Sequence, residues 1–368
     1  MSPTFVILLV GSCVAASCAL IGSFLVLRKM ALLGDAISHA VLPGIVLAFL
    51  LTGERSALPM VIGAGAFGVL TVMLVELFNR SRRLREDASI GVVFPALFSL
   101  GVILISRYAA QVDLDLDCVL YGEIAYAPWD ILIVGGADLG PKALWVNGAV
   151  LLFDLLFVLV FFKELKLSTF DAGLAASLGF SPVLLHYLLM SAVSVTVVGA
   201  FESVGAILVV AMLVVPPATA YLLTDRLGVM LGLAVAIGIA SAVLGYGAAR
   251  VLDVSIAGAM ASVAGLIFVA ALLLSPGHGL LARMLQLRKM GRRLSGQLLL
   301  LHLRKEGEAV PAAMLERRFG WTGRRLQGVA SMLLRTGLVE REGGGLRLTP
   351  KGAEVLESTG RAQLAHKL

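Results

Sequence analysis

A carboxylate and an imidazole stand four residues apart in an otherwise apolar stretch near the start of the chain. Asp35 and His39 belong to the segment MALLGDAISHAVLPG, residues 30–44. On a helix, side chains at this spacing lie on the same face. They can coordinate a transition-metal ion together, and they can equally form a structural pair or cap a helix start. Ionisable groups are expensive at membrane depth, so this pair predicts a cavity or a transport path.

The composition indicates a chain that lies mostly in a membrane. Apolar residues make up 59% of the sequence and charged residues 15%, whereas a soluble domain has about 25% charged residues. The apolar runs have the length that spans a bilayer as a helix, not the alternation of a membrane barrel. We predict an all-α polytopic membrane protein with about nine spans, at 4–27, 33–52, 57–78, 89–106, 143–162, 183–200, 203–223, 228–249 and 256–275.

A tenth apolar stretch, about 119–136, is interrupted by Gly122, Glu123, Pro128 and Asp130. We expect a short re-entrant or interfacial piece there.

Loop charges predict the orientation of the spans. The loops after odd-numbered spans contain nine Lys and Arg residues and the other loops contain four. By the positive-inside rule, the N-terminus is predicted outside and the C-terminus inside.

Charge and hydropathy change abruptly near residue 276. Residues 1–275 contain 13 Lys and Arg against 17 Asp and Glu, whereas residues 276–368 contain 17 against 7. The apolar runs also stop at this point. We therefore predict a transmembrane domain at 1–280, a basic linker at 281–294 and a small cytosolic domain at 295–368.

The pattern of the last domain predicts three helices followed by a β-hairpin. The helices are expected at 295–305, 311–319 and 322–336, and the hairpin at 338–349 around a glycine turn. This is the order of an α+β winged helix. Arg324 and Arg325 begin the third helix and are candidates for a nucleic-acid or regulatory contact. We expect a regulatory role and not DNA binding, because the domain lies close to the membrane.

Four separated stretches together resemble a known family. They are SFLVLRKMALLGDAISHAVLPGIVLAFLL, LREDASIGVVFPALFSLGVILIS, DLDCVLYGEI and FESVGAILVVAMLVVPPATAYLLT. In this order they resemble the membrane permease of ABC importers for manganese, zinc or iron, over almost all of residues 5–275. The tail is similar in kind to the metalloregulator-like winged helix that some members of the family carry.

The resemblance implies a multi-pass permease of the bacterial inner membrane that works as a homodimer. Separate ATP-binding cassette subunits would drive it, and an extracytoplasmic metal-binding lipoprotein would deliver the ion. It implies that Asp35 and His39 contact the transported Mn, Zn or Fe ion, with no permanently bound cofactor. The sequence contains no G-x-x-x-x-G-K-[ST] motif, so we expect no ATPase activity from this chain.

Further candidates follow from local patterns. The loop 168–182 resembles the coupling helix that contacts the ATPase, with Thr169 as its cap and Phe170, Asp171 and Leu178 as contacts. An ordinary interfacial connector is the alternative there. Glu202 is a candidate entry ligand for the ion, although its interpretation as a solvated turn residue is favoured. Pro43, Pro216 and Pro217 are candidate gating or kink positions.

Two other functions stay open at this point. The first is a permease of the same architecture for a metal chelate such as a siderophore, against which the compact Asp35 and His39 pair argues. The second is a membrane-anchored winged-helix transcription regulator, for which nine spans are excessive.

Overall fold

The computed structural model describes residues 2–53, 57–80, 86–109, 123–134, 137–275 and 279–356. The chain divides into two compact units, Met1–Gly279 and Leu280–Leu368. Nine helical stretches in the described residues are long and apolar enough to cross a membrane, and all belong to the first unit. The predicted number of spans is thus confirmed for this part of the chain, while the orientation stays a prediction.

The first unit is built almost entirely from helices. They are α1 (Pro3–Leu27), α2 (Ala31–Ala40), α3 (Leu42–Thr52), α4 (Ala57–Arg80), α5 (Glu86–Leu104), α6 (Lys142–Val160), α7 (Phe162–Phe170), α8 (Ala172–Ser177), α9 (Pro182–Val204), α10 (Ala206–Leu223), α11 (Leu227–Leu252) and α12 (Ile256–Leu274). A π-helical turn, Ile105–Ala109, extends α5.

The interrupted stretch 119–136 is only partly described. From residue 123 onwards it forms a 3-10 turn, Ile124–Tyr126, and the strand β1 (Ile131–Val134). β1 pairs antiparallel with β2 (Ala137–Pro141). Residues 110–122, which include most of the DLDCVLYGEI segment, lie outside the described residues. The part that is described contains no membrane-spanning helix.

Close contacts at two glycines set α1 and α2 against α10. A Cβ atom added at Gly22 would lie 1.9 Å from the carbonyl oxygen of Leu213, so only glycine fits there. In a regular helix the amide hydrogen of residue 217 bonds to the carbonyl oxygen of residue 213. Pro217 has no amide hydrogen, so the Leu213 oxygen makes no such bond and can face the backbone of α1. Gly34 of α2 meets the same residue, since its added Cβ would lie 2.1 Å from Leu213 Cδ2. α10 continues through Pro216 and Pro217 as one helix.

The second predicted span consists of two helices. α2 ends at Ala40 and α3 begins at Leu42, with Pro43 in its first turn. A proline is tolerated there because amide hydrogens of a first turn have no helical acceptor. The interruption therefore separates the helix that carries Asp35 and His39 from α3.

The second unit contains a helical core and a small sheet. Its elements are α13 (Leu280–Glu306), β3 (Val310–Pro311), α14 (Ala312–Phe319), α15 (Gly323–Arg335), β4 (Val339–Glu342) and β5 (Gly345–Leu348), with a further helical segment at 350–356. The antiparallel strand order is β3-β5-β4. Gly343 and Gly344 have φ angles of 57° and 80°, which suit the two-residue turn between β4 and β5.

α13 differs from the sequence-based boundaries. It includes both the segment predicted as a linker, 281–294, and the predicted first helix at 295–305. No proline interrupts residues 280–306, so nothing in the local sequence ends the helix. The predicted second and third helices and the hairpin are present within one or two residues of their expected ends.

We predict that Gly63→Val destabilises the first unit while Gly65→Val does not. Gly63 of α4 and Gly44 of α3 face each other, and a Cβ added at Gly63 would lie 2.4 Å from the Gly44 carbonyl oxygen. Gly65 is on the same helix and has no atom within 4 Å of an added Cβ. Overpacking typically costs about 1–3 kcal/mol. Thermal unfolding of detergent-purified protein should show a lower midpoint for Gly63→Val alone, and equal midpoints would contradict the contact.

Candidate functional site

Asp35 and His39 share one face of α2, as their spacing predicts. His39 Nε2 lies 3.7 Å from Asp35 Oδ1, which is longer than a hydrogen bond. The side chains are 30% exposed for His39 and 49% exposed for Asp35. The pair is therefore accessible and is not locked together by a direct hydrogen bond.

The imidazole of His39 is held by two aromatic rings of α5. Its ring centroid lies 5.5 Å from that of Phe94 and 6.1 Å from that of Phe98, the latter in an edge-to-face arrangement. These contacts fix the orientation of the imidazole ring. Sequence reasoning did not single out Phe94 and Phe98, although their four-residue spacing in a predicted span was available as a signal.

The separation of the two side chains suits a shared metal ion. Two ligands bonded at about 2.1 Å to a tetrahedral ion lie about 3.4 Å apart, so a small rotation of either side chain would suffice. Within the part of the chain that is described, no three His, Cys, Asp or Glu side chains come together as a metal site. Among the described residues, two candidate ligands therefore lie at this place, which fits a passing ion better than a permanently bound one.

Glu202 belongs to a different pair. Its Oε1 atom lies 2.6 Å from Nζ of Lys142, so the start of α6 is tied to the end of α9. The ammonium group occupies the position that a cation would take beside this carboxylate. Glu202 thus makes a structural contact that joins two helix ends.

The segment 168–182 forms the end of α7, the short helix α8 and the start of α9. Asp171 caps α8, since its Oδ1 atom accepts a hydrogen bond from the Leu174 amide at 2.8 Å. Thr169, which the sequence suggested as the cap, is still inside α7. Phe170 and Leu178 are 62% and 61% exposed, so an apolar surface flanks α8.

Arg28 links this segment to the end of α1, and sequence reasoning missed it. Its guanidinium donates hydrogen bonds to Oγ1 of Thr169 at 3.1 Å and to Oγ of Ser168 at 2.9 Å. Burial lowers the pKa of Arg28 from its ordinary value. α2 begins three residues after Arg28, so the contact joins the α7–α8 segment to the helix that carries Asp35 and His39.

The remaining candidates are placed as follows. Pro216 and Pro217 are buried in α10. In the second unit, Arg324 and Arg325 are both exposed. Arg325 donates a hydrogen bond to Ser295 Oγ at 3.1 Å and lies 5.4 Å from the Trp321 ring centroid. Arg325 therefore makes contacts inside its own unit although it is exposed.

Residues 3–275 match the ABC 3 transport family. The chain belongs to this family. It is similar to the manganese transport system membrane protein MntD of Bacillus subtilis (strain 168), with 50% identity over 290 residues, covering 79% of this chain and 98% of MntD. It is also similar to the zinc transport system membrane protein TroD of Treponema pallidum (strain Nichols), with 44% identity over 361 residues, covering 96% of this chain and 98% of TroD.

A solved structure shows the same architecture. PsaBC from Streptococcus pneumoniae in complex with Fab matches with a TM-score of 0.64 and 32% identity, covering 78% of this chain and 96% of that chain. The family that the four sequence stretches suggested is thus confirmed. As a member, the chain is an ABC-type membrane permease subunit and not itself an enzyme.

Proposed function

We propose that this chain forms the translocation path of an ATP-driven importer for divalent transition-metal ions, namely Mn, Zn or Fe. The exposure of Asp35 and His39 within a membrane-spanning helix carries the proposal. A charged group facing lipid costs several kcal/mol, so this face requires a water-filled path or a protein partner. The names of the relatives, which specify manganese and zinc transport, support metal ions as the cargo.

A homodimer would explain both the exposure and the incomplete ligand set. A two-fold axis beside α2 would place a second Asp35 and His39 pair opposite the first, because a two-fold interface uses the same patch on both subunits. Two carboxylates and two imidazoles would give four ligands of the kinds that Mn²⁺, Fe²⁺ and Zn²⁺ accept. The same contact would cover the exposed carboxylates.

Separate ATP-binding cassette subunits would contact α8. Phe170 and Leu178 present apolar surface beside this helix, and Arg28 joins the segment to α1. A displacement of α8 would therefore reach the start of α2 through a short, hydrogen-bonded connection. In a bacterial inner membrane, an extracytoplasmic metal-binding lipoprotein would deliver the ion to the opposite side.

The two alternative functions have less support. A chelate permease requires a wide path, whereas Asp35 and His39 form a compact pair with the spacing of ligands to a bare ion. A membrane-anchored regulator would need only a membrane anchor, whereas residues 3–275 match a transport family along their whole length.

For the second unit we propose a winged helix with a regulatory role. The order of three helices and a hairpin, with β3 pairing to β5, supports this fold. TroD is similar over 96% of this chain, so a counterpart of the tail is present in a zinc transport protein. The internal contacts of Arg325 weaken the case for DNA binding by the third helix.

We predict that Asp35→Asn and His39→Gln each lower metal uptake at least about 10-fold while leaving the yield of purified complex unchanged. The loss follows from removing one ligand of a weak, few-ligand site. Radiolabelled Mn²⁺ uptake by cells that contain the intact transport system is the measurement. Asp253→Asn is a matched control, because Asp253 is exposed and adopts a left-handed conformation that asparagine tolerates. Normal uptake in both test variants would remove the pair from the path.

We predict that Asp171→Ala weakens co-purification of the ATPase more than Asp171→Asn does. Asparagine keeps an oxygen that accepts from the Leu174 amide, whereas alanine removes the cap at a cost of about 1 kcal/mol, or roughly 5-fold. The measurement is the ATPase-to-permease ratio after affinity purification. An equal loss in both variants would assign the effect to the charge and not to the cap.

We predict that deletion of residues 280–368 leaves the first unit folded and changes the uptake rate at saturating metal. The cut follows the boundary between the units and avoids dividing α13, as a cut at residue 295 would. Ser275 Oγ, which donates to the Leu222 carbonyl oxygen at 2.6 Å, remains to hold the end of α12. Unchanged transport, combined with nanomolar binding of the isolated tail to operator DNA at physiological salt, would show that the tail binds DNA and does not regulate transport.

A further inference from the structure

The first helix of the second unit, α13, has an apolar face that nothing in the described chain covers. Leu299, Leu300 and Leu303 of this helix are buried in the core of the second unit. The other large apolar side chains of α13 that the structure describes are exposed, namely Leu280, Leu281, Met290, Leu294, Leu298 and Leu301. In the rest of the described second unit, only Met314 and Val355 are exposed large apolar residues. Such a concentration of apolar surface marks an interaction site.

Five of the exposed residues form one apolar stripe along α13. They are Leu280, Met290, Leu294, Leu298 and Leu301, and the last four are each more than half exposed. At 3.6 residues per turn, the five positions fall within an arc of about 80° on the helix. The buried positions 299, 300 and 303 lie roughly on the opposite side of the helix. α13 therefore has two apolar faces, and the second unit covers only one of them.

We propose that the apolar stripe of α13 binds an anionic lipid surface, so that this helix anchors the second unit at the membrane. Residues 280–305 contain seven Lys and Arg and no Asp or Glu. A helix that combines an apolar face with a strongly basic sequence is typical of helices that lie in the interface of an anionic membrane. Each Lys or Arg near such a surface strengthens binding by about 5-fold. The inference concerns the second unit alone and does not depend on the cargo of the first.

The sequence keeps the stripe within reach of a bilayer. α12, which is long and apolar enough to cross the membrane, ends at Leu274, and α13 begins at Leu280. The five residues between them span at most about 18 Å when fully extended. Leu280 is itself the first residue of the stripe. The helix is thus tethered close to the surface that we propose it binds.

Charge favours lipid over a second copy of the chain as the partner of the stripe. Two copies of α13 packed through their stripes would bring two basic helices together, with no acidic residue in 280–305 to pair with the cations. Helices that pair through an apolar seam commonly place opposite charges along its edges. Anionic headgroups supply negative charge along the whole helix, so the observed composition matches a lipid surface.

Spin labels on the full-length permease in lipid nanodiscs test this contact. The three cysteines, Cys13, Cys18 and Cys118, are first replaced by alanine. Leu298→Cys then places a label in the stripe, and Met314→Cys is the matched control, because it replaces another exposed apolar residue of the second unit. Relaxation by oxygen and by a soluble nickel chelate reports whether each label is in lipid or in water. In nanodiscs with equal phosphatidylglycerol and phosphatidylcholine, the label at 298 should be buried about 5–10 Å into the boundary of headgroups and acyl chains. The label at 314 should stay in water.

The lipid composition tests the role of charge. In pure phosphatidylcholine nanodiscs, the label at 298 should shift towards water, and Arg292→Gln with Arg293→Gln should cause a shift in the same direction in the anionic nanodiscs. Equal depth at 298 in both lipids would overturn the inference, as would equal access of the nickel chelate to both labelled positions. Dipolar broadening between labels at 298 without burial in lipid would overturn it as well, and would assign the stripe to a second copy of the chain. None of these measurements requires transport, so their failure is separate from a failure of the proposed function.

Discussion

The contact of Leu213 with two glycines determines where the helices of the first unit stand. Gly22 lets α1 approach the Leu213 carbonyl, and Gly34 lets α2 pack on the Leu213 side chain. In a bilayer, lipid tails are as apolar as helix surfaces, so the hydrophobic effect does not drive helices together. Helices associate there through such close packing. The position of Asp35, one residue after Gly34, therefore depends on a close contact in which an added Cβ would have to displace the end of the Leu213 side chain.

Burial separates the structural polar groups from those with a proposed role in transport. Asp154 is fully buried, and the Thr196 hydroxyl lies 2.9 Å from both of its carboxylate oxygens. Asn147 is also buried and donates to Ser203 Oγ at 2.8 Å. These groups find their partners within the chain, as buried polar atoms require. The Asp35 side chain instead is about half exposed, so it stays accessible to water, an ion or a partner.

The contacts around α8 connect the proposed metal contact to a source of movement. Arg28 binds the residues in front of α8 and stands three positions before the start of α2, the helix that carries Asp35 and His39. A partner that displaces α8 would thus act on α2, and an ion held between weak ligands would respond to a small change in their spacing.

The sequence alone was sufficient for the features that depend on local periodicity. It predicted nine spans, the shared face of Asp35 and His39 and the helices and hairpin of the tail, because apolar period and turn residues are properties of neighbouring positions. Only the tertiary structure brought Phe94 to His39, paired Glu202 with Lys142 and joined Arg28 to the end of α7. These contacts join helices far apart in the chain, and their partners are selected by helix packing, which no local pattern encodes.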